Sequence, residues 1–151
     1  MLAPAFIAIR TRIEANYTAT PIRWQNEGWG DANPQDAGEP FVEVEIIGGA
    51  NSIRAFSSPG NRLFIHPGIV RFYVFAAINT GMTDAMATAD ALAAFMERAE
   101  FGQATGQTVR TQDFSVYDGV ASEESGNYTV LMCSCMMLIS ASRLKLPCAS
   151  H

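Results

Sequence analysis

Asn61–Phe101 reads NRLFIHPGIVRFYVFAAINTGMTDAMATADALAAFMERAEF, and two periodicities inside it decide the fold. From Ile69 to Ile78, Val70, Phe72, Val74, Ala76 and Ile78 recur at every second position, the spacing of a strand with one face on a core. The other face carries Arg71, Tyr73, Phe75 and Ala77 and is too apolar to be left to water, so a cover over it is expected. Asn79-Thr80-Gly81 ends the alternation. From Thr83, Ala85, Ala89, Leu92, Met96 and Ala99 follow at helical spacing, which predicts a helix over Thr83–Phe101 closed by Gly102 as a C-cap glycine.

On the N-terminal side, Leu2, Phe6, Ile9 and Ile13 form one stripe of an amphipathic helix. It should end near Asn16, before a β-prone run and Pro21. Ile22–Trp24 reads as a short edge strand, because Pro21 cannot donate to a ladder. Phe41–Ile47 alternates, with Val42, Val44 and Ile46 inward and Glu43 and Glu45 outward. Gly48-Gly49 ends it, and Asn51–Phe56 is expected to return as the second arm of a hairpin. His66-Pro67-Gly68 reads as a turn leading into the central strand.

Beyond the central stretch, Thr108–Tyr117 is expected to be a strand and Asp118–Asn127 a polar turn region. Asn127–Ser140 is apolar on both faces, which suits a strand at a sheet centre or under another subunit. The tail 141–151 is expected to be loosely held. Grouped strands with segregated helices give an α+β domain spanning 1–151: a mainly antiparallel sheet with an N-terminal helix and one long helix packed on it.

The 151 residues are 48% hydrophobic and 17% charged, more apolar and less charged than an ordinary soluble monomer needs, so surplus apolar surface is expected in subunit contacts. A net charge of −5 gains nothing from neutralising phosphate, which argues against a dedicated nucleic-acid binder. Three cysteines, no apparent signal peptide and no apolar run of membrane-spanning length point to a soluble chain in a reducing cytoplasm.

Candidate chemistry is sparse. Glu43 and Glu45 share a strand face, but their spacing is that of any alternating solvated face. Cys133 and Cys135 also share a face, yet with only Cys148, His66 and His151 besides them they read as small buried hydrophobes. No Gly-x-Ser-x-Gly, P-loop or dinucleotide fingerprint occurs. No catalytic residue, metal or cofactor is therefore assigned.

Charge and aromatic placement point to binding instead. Glu27, Asp31, Asp36, Glu39, Glu43 and Glu45 form an acidic section, followed by an arginine section of Arg54, Arg62 and Arg71. Arginine pairs bidentately with carboxylates, so the two sections suit head-to-tail contact between copies. The Gly- and Pro-rich stretch 25–40 reads as an exposed loop, with Trp24 and Trp29 in or beside it. Either these rings meet a partner or they fold back to cap the core.

Three stretches carry a family resemblance: IEANYTATPIRWQNE at 13–27, FVEV at 41–44 and GNRLFIHPG at 60–68. With the helix beginning near Thr83 and its Asp90-Ala91-Leu92-Ala93 centre, they resemble the tail terminator, or tail completion, proteins of long-tailed bacteriophages and phage-like gene-transfer particles. The similarity runs to Phe101 and fades after Gly102.

The resemblance implies a non-enzymatic virion protein at the head-tail junction, assembled in the bacterial host cytoplasm. It further implies a homo-hexameric ring on the head-proximal end of the tail tube. That ring meets the tail tube protein on one side and a head connector or adaptor on the other, while DNA passes through its lumen without specific binding. On this view Trp24, Glu27, Trp29, Arg54, Arg62, Arg71 and Tyr73 are interface candidates. Glu43 and Glu45 are lumen candidates, provided that neither is paired to an arginine.

Overall fold

The computed structural model describes residues 3–29, 33–34, 38–49, 52–56, 62–77, 82–103, 107–121 and 128–143, with side chains for all of these except 52–56, 62–64, 118–121 and 141–143. The elements in chain order are α1 (Ala3–Asn16), β1 (Ile22–Trp24), β2 (Phe41–Gly48), β3 (Ser52–Phe56), β4 (Arg62–Ala77), α2 (Thr83–Met96), β5 (Glu100–Phe101), β6 (Gln107–Ala121) and β7 (Tyr128–Arg143). The protein is α+β. Its strands form one sheet in the order β1-β2-β4-β7-β6-β5, with β3 also paired to β4. The β1–β2 pairing is parallel and the others are antiparallel.

β7 lies between β4 and β6, which is why it is apolar on both faces. Its register with β4 runs unbroken from Arg62↔Arg143 to Ala77↔Tyr128. Both helices pack on one side of the sheet. Ala5, Ile9 and Ile13 of α1 and Ala85, Ala89, Leu92 and Met96 of α2 join Val44, Val70, Phe72, Val74, Leu131, Cys133 and Ile139 in one buried core. Burying one large apolar side chain stabilises by roughly 1.5–3 kcal/mol, and this side holds the main core. Arg12 fastens the layer: its Nε donates to the Phe95 carbonyl at 2.8 Å, and its guanidinium lies 4.9 Å from the Phe101 ring centroid.

Several expectations are corrected. The Asn51–Phe56 arm does not pair with β2. β3 runs against Arg62–Ile65 of β4, so β2 and β3 line the same edge of β4 end to end. The turn expected at His66-Pro67-Gly68 is part of β4, which starts at Arg62. Pro67 is tolerated there because it lies where the edge passes from β2 to β3, and its carbonyl accepts from Gly49 N at 2.7 Å. Gly68 is held by crowding: a Cβ on it would lie 2.6 Å from Met137 Cε and 2.9 Å from the Ile47 carbonyl oxygen.

The second helix is shorter than its periodicity predicts. It stops at Met96, and Arg98 takes a positive φ of 47°. The cause is competition from β6. Thr111 N donates to the Ala99 carbonyl at 2.9 Å, and Ala99 N donates to Thr111 Oγ1 at 2.8 Å. The Thr111 hydroxyl donates to the Met96 carbonyl, one of the helix's orphan acceptors. Gly102 is therefore not a cap. Its φ of +86° serves the turn from β5 to β6, where a Cβ would lie 3.0 Å from the Gln107 carbonyl oxygen.

β6 also extends past Tyr117 to Ala121, so the start of the expected polar turn is strand, and residues 122–127 lie outside the described residues. Ala141–Arg143 of the expected loose tail continue β7, while 144–151 lie outside the described residues, as do Leu2 and Ile78. Among the described residues, no helix is long and apolar enough to cross a membrane.

Candidate functional site

Strand alternation puts a second set of side chains on the side of the sheet away from the helices. In register these are Phe41↔Phe75, Glu43↔Tyr73, Glu45↔Arg71 and Ile47↔Ile69 between β2 and β4. Phe75↔Val130, Tyr73↔Met132, Arg71↔Ser134 and Ile69↔Met136 continue the face onto β7. Along β4 from Ile69 to Ala77 these residues are half-buried while every helix-side neighbour is buried. No helix lies over this open face among the described residues. The cover that the alternation calls for is not α1, which packs on the other side.

One corner of the open face is closed by aromatic packing. Phe41 stacks on Phe75 at 4.3 Å, Trp29 meets Phe41 edge-on at 5.1 Å, and Tyr128 meets Phe41 edge-on at 5.4 Å. The Tyr128 hydroxyl donates to the Glu39 carbonyl at 2.9 Å, tying the start of β7 to the residues just before β2. Burial pushes the Tyr128 hydroxyl above the ordinary tyrosine pKa. Arg23 of β1 lies 5.9 Å from the Trp29 centroid and 5.5 Å from that of Phe41 while pairing with Glu43.

Next to this corner is a polar ladder. Tyr73 Oη donates to Glu45 Oε2 at 3.1 Å, and Arg71 Nη1 lies 3.9 Å from the same oxygen. Desolvation, then the bond to Glu45, raises the Tyr73 pKa. Past the ladder the face is mainly apolar along β7, where Met136 is 54% exposed, while on β6 it carries Tyr117, 49% exposed, together with the polar Ser115 and Arg110.

The predicted site residues are thus divided. Trp24 is not in a contact loop: it is buried on the helix side, with Arg10 4.8 Å from its ring centroid. Glu27 is exposed but bound by Arg10 at 2.5 Å, which keeps its carboxyl below the usual pKa range. Trp29 is half-buried at the aromatic corner, where it folds back on Phe41. Arg71 and Tyr73 are on the open face together. The side chains of Arg54 and Arg62 lie outside the described residues.

The lumen assignment fails by its own condition, because Glu43 pairs with Arg23 and Glu45 with Arg71. Glu27, Glu43 and Glu45 of the acidic section all find arginines within their own chain. The sequence reading missed Arg23, Phe41 and Tyr128. Only the pairing of β1 with β2 and of β4 with β7 brings them to one corner, and no local pattern encodes those registers.

The thiols of Cys133 and Cys135 are buried on the helix side, where desolvation pushes Cys133 up to about 11. Among the described residues, no three His, Cys, Asp or Glu side chains are grouped to hold a metal ion.

No family model matches the chain, and no curated protein matches it. Ten solved chains match its structure. One of them, which bears no functional name, aligns with a TM-score of 0.64 over 90% of this chain and 93% of its own, at 17% identity. At that identity the two chains share a fold, and the likeness extends no further.

Proposed function

We propose that the chain is a structural virion protein of the tail-terminator type. Copies assemble into a ring, hexameric as the sequence resemblance implies, on the head-proximal end of a tail tube. One rim of the ring matches the last tube subunits and covers their open edges; the other offers a docking surface to the head connector. The reaction is binding only, with no chemical step and no cofactor, and DNA passes through without being read.

The observation that carries this reading is the open sheet face. A two-layer α+β domain that leaves Met132, Met136, Leu138 and Tyr73 uncovered on its central strands holds apolar surface beyond what its own fold uses. Such surface suits an assembling subunit better than a free monomer.

The experiment is deletion of the gene from the particle that encodes it, with tails measured by electron microscopy. Abnormally long tails are expected. Filled heads without tails would assign the chain to a head-tail adaptor instead, and normal particles would refute both.

A further inference from the structure

The edge of a sheet carries a row of backbone N–H and C=O groups that another strand can match along its whole length. On one side this sheet is closed. β1 pairs with Val42, Glu43 and Val44 of β2; beyond it Gln25 N donates to the Val44 carbonyl at 3.2 Å, and Gln25 Oε1 accepts from Ile46 N at 3.1 Å. On the other side β5 covers only the start of β6. Glu100 and Phe101 pair with Arg110 and Val109, and Arg98 N donates to the Gln112 carbonyl at 3.2 Å. From Asp113 to Ala121 no strand lies along the outer edge of β6 among the described residues.

That open stretch contains no Pro, Lys or Arg, the residues that usually guard an edge. Register shifts in its ladder with β7, between Thr111 and Phe114 and between Tyr117 and Val120, set off Phe114-Ser115-Val116-Tyr117 as a regular window. Ser115 is exposed, as are Val116 at 42% and Tyr117 at 49%. The surrounding sequence is acidic: between Arg110 and Arg143 it holds Asp113, Asp118, Glu123 and Glu124 and no basic residue. Asp113 meets Arg98, but in a largely exposed ion pair that can exchange partners.

A strand suited to this edge alternates basic and apolar residues, and the chain contains one. Ser142-Arg143-Leu144-Lys145-Leu146 has that alternation, and Pro147 stops it. The described ladder of β7 with β4 ends at Arg143 and that with β6 at Ala141. The segment cannot serve its own edge. Arg143 is eight residues past Cys135, the partner of Phe114, which is about 27 Å along β7. Leu144-Lys145-Leu146 reaches at most about 11 Å from Arg143.

We propose that Leu144-Lys145-Leu146 of one copy adds as a further strand to the Phe114–Tyr117 edge of the next. This rests on the ring reading above and supplies its contact. Backbone hydrogen bonds hold the added strand, and a basic segment meets an acidic edge. Donor and acceptor differ, so the contact is heterologous; repeated, it runs head to tail and closes into a ring when the rotation allows. Pairing of two β6 edges would instead give a two-fold dimer and bring Asp113 and Asp118 of both copies together.

The test uses two single substitutions, Lys145→Pro in the donor segment and Val116→Lys on the edge, with folding checked by circular dichroism. Masses are measured by sedimentation velocity at one concentration, the highest at which the wild-type chain is soluble. The wild type should form a ring, and each variant alone should stay at the monomer mass of 16.3 kDa. An equimolar mixture should form a one-to-one pair, since Lys145→Pro keeps the edge and Val116→Lys keeps the segment. Amide hydrogen exchange across Phe114–Tyr117 should be slower in the wild-type ring than in Lys145→Pro. If Val116→Lys does not fold, Ser115→Lys replaces it.

A variant that still forms rings, a mixture that stays monomeric, or equal exchange in the two states would overturn the contact and leave the ring reading standing. Dimers of Lys145→Pro alone would overturn it in favour of paired β6 edges. A wild-type chain that stays monomeric would remove the ring and the contact together.

Discussion

The two faces of the sheet have the same strands and registers but opposite histories in the fold. On the helix side Val70, Phe72, Val74, Cys133, Met137 and Ile139 are sealed under α1 and α2. On the open side Ile69, Arg71, Tyr73, Met132 and Met136 alternate with them along the same backbones and stay partly in water. Adjacent residues in β7 make the contrast sharp: Met137 is 1% and Met136 54% exposed. The difference separates what makes this chain fold from what it has left over for a partner.

The contrast should break most severely at the helix side. Phe72→Asp or Leu92→Asp places an unpaired charge at a fully buried position and should abolish folding, seen as loss of a cooperative thermal transition. Phe72→Ala should cost about 3–5 kcal/mol in urea unfolding if the protein folds at all. Next in size is the crowded crossing at Gly68. Gly68→Val must displace Met137 or the Ile47 carbonyl and should cost about 1–3 kcal/mol by the same assay. Thr111→Val removes the hydroxyl that ends α2 and leaves Met96 O and Ala99 N short of a partner, for about 1–3 kcal/mol.

A smaller effect is alkaline, and the helix side contributes to it through a buried thiol. Cys133 titrates near 11 in the folded chain against an ordinary value of 9.0, so the folded state keeps a proton that the unfolded state releases. Stability is therefore intact below pH 9 and falls as pH rises from about 9 toward 11. The slope from this group is at most about 1.4 kcal/mol per pH unit. Cys133→Ala should flatten that decline in urea unfolding measured across the range. Smallest of all, Met136→Ser on the open face should change the stability of the isolated chain by no more than about 0.5 kcal/mol.

Much of this division was legible before any coordinates. The alternation of Val70, Phe72 and Val74 against Arg71, Tyr73 and Phe75 announces two faces, and the run Ala85, Ala89, Leu92, Met96 supplies the helix that covers one of them. The two-sided apolar pattern of β7 suits a sheet centre or a place under another subunit, and β7 lies between β4 and β6. What could not be read was which segments meet. The end of α2 is set by Thr111, 15 residues beyond Met96, so periodicity alone carried the helix too far.

Glu43 and Glu45 look like bare carboxylates in sequence because their arginines come from β1 and β4. Trp24 and Trp29 are close in sequence, yet strand parity sends Trp24 to the helix side, while Trp29, beyond the end of β1, packs at the corner at Phe41 on the open side. The open face could be named from its alternation, but its lack of a helical cover could not, because the side on which α1 packs follows from tertiary contacts.

The most direct test of a face reserved for assembly is peroxide oxidation of Met136 and Met137, read by mass spectrometry on the isolated monomer and on the chain within assembled particles. Met137 should resist in both. Met136 should oxidise readily in the monomer and be strongly protected in the particle. Equal oxidation of Met136 in the two states would contradict the account, because the open face would then be uncovered where the protein does its work.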